Sequence, residues 1–197
     1  MNIENIESDI KATSEHLELM SKILTTYDCV HAMLTELDVE LAEDFKTEFA
    51  NFQYILVLAQ FELCLVLKAI HYSQNDLEKI HSIKRGFLII YETKIALDKL
   101  NPTLKTIKSD FPQLENEFKQ AVNLIKDIRR IVNDDIRIVE VRNNVSAHIN
   151  PNFLEYYKNF EMLELSKDLN LIMDMKNKLY LIEKFISTVR ATRSTKN

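Results

Sequence analysis

Residues 112–149 read PQLENEFKQAVNLIKDIRRIVNDDIRIVEVRNNVSAHI. Leu114, Phe118, Ala121, Ile125, Ile128, Val132, Ile136 and Val139 recur there mostly at steps of three and four. At about 100° per residue such steps form one apolar stripe along an α-helix. The same spacing links Ile3, Ile6, Ile10, Leu17, Met20 and Leu24 at the start of the chain, and Leu169, Ile172, Met173, Leu179, Ile182, Ile186 and Val189 near its end. Punctuation is sparse. A chain of 197 residues carries one glycine, Gly86, where average usage would supply about 14. Three prolines and no tryptophan complete the pattern. Tight turns need Gly and Pro, so a β sandwich or barrel is excluded. Gly-rich phosphate loops, the dinucleotide fingerprint and the nucleophile elbow are excluded with it. The expected fold is all-α, a single domain built as an up-and-down bundle of four to five long helices.

Helix ends follow from the few breakers present. Residues 1–38 form an N-terminal helical extension packed on the bundle, with a break expected between Thr25 and Asp28. A helix from about Leu41 to Tyr72 is apolar nearly all round between Phe52 and Ile70 and belongs at the centre. Asn75 followed by Glu78 is a capping box opening a third helix, which Asn101 and Pro102 stop after Leu100. Residues 101–111 read as a connection, and the fourth helix then runs to His148 or Ile149, where Asn150 and Pro151 end it. A short aromatic segment (Phe153, Tyr156, Tyr157, Phe160) leads to Ser166, which caps the last helix; residues 191–197 are a frayed tail.

The net charge is −5, from 25 basic and 30 acidic side chains. The chain as a whole therefore repels polyanions, and any contact with nucleic acid must come from a local basic patch. Cys29 and Cys64 stand alone, as buried thiols in a reducing compartment do. The start, MNIENIESDIK, is acidic and amphipathic, unlike a signal peptide. Tyr54–Ile70 is interrupted by Gln60, Glu62 and Lys68, which suits a core helix better than a membrane span. The expected location is the cytoplasm, with no membrane partner. One Glu-x-x-His pair, Glu78 and His81, is half of what a di-iron bundle needs, and Glu78 is already engaged as a cap. Neither a metal nor another cofactor is expected.

The end of the fourth helix departs from the rest. Continuing the stripe places Asn143 and Ser146 where core residues stood, and buried polar groups need partners. Ile138, Val141 and Val145 lie roughly 120° to 180° from that stripe, a second apolar face that reads as a homodimer interface. Beside it Lys126, Arg130, Asn133, Arg137, Asn144 and His148 align. They form either a solvated face or a basic track for a phosphate backbone.

The run Val141–Pro151, VRNNVSAHINP, resembles the motif of the HEPN superfamily: Arg, a polar residue, then His after four to six positions, near the end of a long helix in a bundle. The matching residues are Arg142, Asn143 and His148. The resemblance implies metal-independent cleavage of RNA, as in nucleases of bacterial defence or toxin–antitoxin systems, with an antitoxin protein as a further partner. It casts His148 as the proton-transfer group, Arg142 as stabiliser of charge on the phosphoryl oxygens and Asn143 as the group orienting the pair. In a straight helix Arg142 and His148 point roughly 120° apart. They act together if the last turn unwinds or if two subunits share a cleft, and HEPN nucleases resemble the second case. The alternative is a non-catalytic helical module that binds protein or RNA.

Overall fold

The computed structural model describes residues 2–36, 45–145 and 161–194, apart from the side chains of 27–36, 45–48, 144–145 and 193–194. Among the described residues there are seven α-helices and no strand. They are α1 (Ile3–Glu36), α2 (Phe45–Tyr72), α3 (Asp76–Lys99), α4 (Asn101–Asp110), α5 (Glu115–Asp134), α6 (Ile136–Val145) and α7 (Leu165–Ser194). A 3-10 turn, Pro112–Leu114, leads into α5.

Helix α2 is the axis of the bundle and packs on α1, α3 and α7. Phe52, Leu56, Val57, Leu63, Cys64, Val66 and Leu67 are all buried there. Burial of this kind, at about 25 cal/mol per Å² of apolar surface, dominates the stability of a helical bundle. It also pushes the Cys64 thiol up to about 11, which keeps it protonated and inert. By length and composition Phe49–Tyr72 passes for a membrane span, with mean hydropathy 1.7. Half of that stretch is buried within the chain, against the other helices.

Helix α1 lies on α2, seated by Ile6 and Met20. Ion pairs from Glu7 to Lys68 (2.9 Å) and from Asp9 to Lys176 fasten it to α2 and α7. It does not break between Thr25 and Asp28; the Thr26 hydroxyl donates to the Lys22 carbonyl one turn back and stays within the helix.

The capping box at α3 forms as its sequence requires. Glu78 N–H donates to Asn75 Oδ1 (3.0 Å), while the Glu78 carboxylate accepts from Gln74 N–H (2.7 Å), one residue beyond the cap. Further along α3, Gly86 faces Val66 of α2 and Ile172 of α7. Lys84 is buried beside it in sequence, 4% exposed, and burial pushes its ammonium down to about 8.

Three sequence boundaries need correction. Residues 101–110 are helical, not a connection, because Pro102 sits in the first turn of α4, where its missing N–H has no intrahelical partner to lose. Thr103, Leu104 and Ile107 bury that helix. The single helix expected over 112–149 is divided at Asp135, with consequences described below. At the other end α7 extends to Ser194, so the tail is helical for four residues beyond Arg190.

A candidate site at the end of α6

Asp135 has an extended backbone (φ −93°, ψ 92°) and serves two helices at once. Its N–H closes α5 by donating to the Ile131 carbonyl (3.0 Å). Its side chain caps α6 by accepting from Arg137 N–H (3.1 Å). The break resets the phase of the helix, and contacts to α3 continue on both sides of it. Arg129 reaches α3 at Asp98 (2.7 Å) and Arg137 reaches it further back, over the Phe87 ring, but Arg142 returns to Tyr91.

That re-phasing overturns three readings taken from one continuous helix. Ile136, placed in the core stripe, is 62% exposed. Ile138 and Val141, placed on an outer face for a second subunit, are 0% and 2% exposed and belong to this chain's own core, beside α3. The apolar second face thus needs no partner to cover it at these two positions. Asn143, expected on the buried stripe, is exposed. The side chains of Val145 and Asn144 and all of Ser146 and His148 lie outside the described residues.

Arg137 is the second correction. It was aligned with Lys126 and Arg130 as part of a basic track, yet its guanidinium is 12% exposed and committed to the interior. It donates to Asp135 Oδ2 (2.6 Å) and pairs with Asp168 Oδ1 (2.8 Å), whose side chain is wholly buried. These hydrogen bonds hold the Asp135 carboxyl below the usual carboxylate range, and they keep Arg137 charged. At Asp168 burial pushes the carboxyl up, against the opposing Glu164 N–H and Arg137. Since Asp168 lies in the first turns of α7, this network fixes the α5–α6 break to the start of α7. Lys126 and Arg130 remain on the surface of α5, Arg130 paired with Asp127 (3.2 Å). The basic face is correspondingly smaller than its sequence suggests.

What stays at the surface is the end of α6. Arg142 and Asn143 are adjacent and exposed, and Arg142 Nη1 donates to Asn143 Oδ1 (3.2 Å). The Arg142 guanidinium lies over the Tyr91 ring, 5.4 Å from its centroid, and its Nε is 3.9 Å from Glu92 Oε1. This is a cation–π contact, and a guanidinium's edge N–H groups are the donors that recognise phosphate or carboxylate.

Elsewhere, Glu78 is held as a cap and His81 borders a shallow cleft of about 490 Å³ with Tyr72 and Leu77. Among the described residues no three His, Cys, Asp or Glu side chains gather as a metal site would require. Comparison with protein-family models, curated proteins and solved structures finds no match to this chain.

Proposed function

We propose that the chain is a HEPN-like, metal-independent endoribonuclease. One observation carries this reading: Arg142 and Asn143, the first two residues of the motif, are exposed together at the end of α6 and hydrogen-bonded to each other. Arg142 would stabilise charge developing on the phosphoryl oxygens, and Asn143 would hold its guanidinium in plane. His148, six residues beyond Arg142 in sequence, would move the proton at the 2′-hydroxyl or the leaving 5′-oxygen. The setting that goes with this reading is the cytoplasm and a bacterial defence or toxin–antitoxin system, with an antitoxin as protein partner. A homodimer that brings two motifs together belongs to the proposal too, but it rests on the resemblance and no longer on Ile138 and Val141.

A second reading, a non-catalytic module binding protein or RNA, draws support from the loss of Arg137 to the interior network, which leaves a thinner basic surface.

Cleavage of single-stranded RNA by wild type, Arg142→Ala and His148→Ala, with and without EDTA, tests the two. The enzyme reading expects a loss of about a hundredfold or more in each variant and no effect of EDTA. Equal residual cleavage in all three would assign the signal to contamination and leave the binding module.

A further inference from the structure

We propose that the first half of α1, residues 3–24, is a latch: an arm fastened by ion pairs that opens while the rest of the bundle stays folded, and that uncovers the thiol of Cys64 when it does. The inference is independent of how the end of α6 is used.

The long helices packed on α2 are seated in different ways. Helix α7 buries an apolar side chain at every turn from Ile172 to Val189. Over residues 3–26, helix α1 buries two, Ile6 and Met20, with Ile3 and Ile10 partly covered. About four turns separate the buried pair, and no side chain between them is buried. At Thr13 the stripe is polar, and the hydroxyl donates back to the Asp9 carbonyl (2.7 Å).

Polar contacts do the fastening instead. Glu7 pairs with Lys68 of α2 (2.9 Å) and accepts from the Tyr72 hydroxyl (3.5 Å). Asp9 pairs with Lys176 of α7 (2.5 Å), and His16 reaches Gln53 of α2 at 3.5 Å. The Glu7 and Lys68 side chains are 46% and 42% exposed, so salt screens their pairing. Packing beneath the arm is incomplete. A hollow of about 140 Å³ lies under its first turns, lined by Ile6, Asp9, Leu67, Met173 and Lys176 among others. Walls that face a void forgo the dispersion contacts that a filled interface would give.

Cys64 stands three residues before Leu67, on the same side of α2, and is 1% exposed. Asp9 and Lys176 both act on its thiol electrostatically, which places it where the arm is pinned. Release of the arm leaves α2 packed on α3 and α7. Opening therefore gives up few buried side chains and two ion pairs, and it lies below global unfolding. Ionic strength sets how often it occurs. The thiol is inert under the closed arm and ordinary in the open state.

Iodoacetamide labelling of the whole chain, quenched at intervals and read peptide by peptide by mass spectrometry, follows Cys64 separately from Cys29. Rates are taken relative to a free-thiol peptide. At about pH 8 the Cys64 rate should rise about threefold between about 50 mM and about 500 mM KCl. Asp9→Asn should raise it about fivefold at the lower salt and blunt the response to salt. Asp174→Asn, which removes a pair with Lys178 inside α7, should change neither. The urea slope of labelling should fall well below that of global unfolding followed by circular dichroism, because the slope tracks the surface exposed.

The latch is overturned if Cys64 labels only with the free energy and urea slope of global unfolding. It is overturned too if salt or Asp9→Asn leaves the rate unchanged, if Asp174→Asn moves it as much, or if Cys64 of wild type reacts as fast as the free-thiol peptide. Circular dichroism identifies a variant that fails to fold; should Asp9→Asn do so, Glu7→Gln, which severs the pair with Lys68, takes its place.

Discussion

The one glycine in the chain supplies the sharpest test of how the bundle packs. Replacing Gly86 with alanine adds a single methyl group in the middle of α3. On helix propensity alone that change is favourable by about 1 kcal/mol. The packing opposes it. A Cβ built on Gly86 would lie 2.7 Å from Ile172 Cδ1, 3.1 Å from Ile172 Cγ1 and 3.3 Å from Val66 Cγ1. Ile172 and Val66 are 0% and 1% exposed, so neither has open space to turn into. Overpacking of a close-packed core costs about 1 to 3 kcal/mol, so Gly86→Ala should destabilise the protein by about 1 kcal/mol net of its propensity gain. Ile172→Val removes the atom that stands at 2.7 Å and should cost about 1 kcal/mol alone. Together the two changes should be less harmful than their sum, with a coupling of about 1 kcal/mol or more. Urea unfolding of the four proteins, followed by far-ultraviolet circular dichroism, measures the cycle. A more stable Gly86→Ala protein, or strict additivity with Ile172→Val, would refute the close approach of α3 and α7.

Two further outcomes follow from buried charges. The Lys84 ammonium titrates near 8 in the folded chain, against 10.5 when exposed. Between those values the unfolded state binds more protons, so stability should rise as pH goes from 8 towards 10.5, by up to about 3 kcal/mol. Lys84→Met should flatten that rise; urea midpoints across the range check it, and a flat wild-type profile would refute the assignment. Arg137→Ala leaves the wholly buried Asp168 carboxylate without its cation, and thermal or urea unfolding should show a loss of about 3 to 5 kcal/mol. The deficit should narrow in acid, where Asp168 takes up a proton; a loss below about 1 kcal/mol would show that the network does not hold α6 to α7.

The reach of the sequence can be judged position by position. The buried stripe Ala121, Ile125, Ile128 and Val132 appears as its three-and-four spacing predicts, and so does the Asn75–Glu78 cap, because both are set within one helix. Phase, by contrast, accumulates error. One non-helical residue at Asp135 turned Ile138 and Val141 inward and Ile136 outward, so every face assigned beyond it from continuous geometry was displaced. A signal was present in Asn133, Asp134 and Asp135, three consecutive residues that favour caps over helix interiors. Arg137 looked like surface because its partners, Asp135 and Asp168, are two and 31 positions away, and only packing joins the distant one. Tyr91 and Glu92 had no signal at all, since their meeting with Arg142 depends on α6 packing on α3.

The brevity of α6 bears on when its surface exists. Ten residues are too few for a helix to persist alone in water, so its order is borrowed from Ile138 and Val141 against α3 and from the Arg137 network at α7. A segment held that way is a cooperative unit of its own, able to open at a free energy below that of global unfolding. The long helices α2 and α7 would survive such an opening, while Arg142 and Asn143 would lose their fixed relation to Tyr91. Warming or mild denaturant would then pass through a regime in which the bundle endures and the anion-facing surface has dissolved. Competence at this site and integrity of the fold are two separate equilibria.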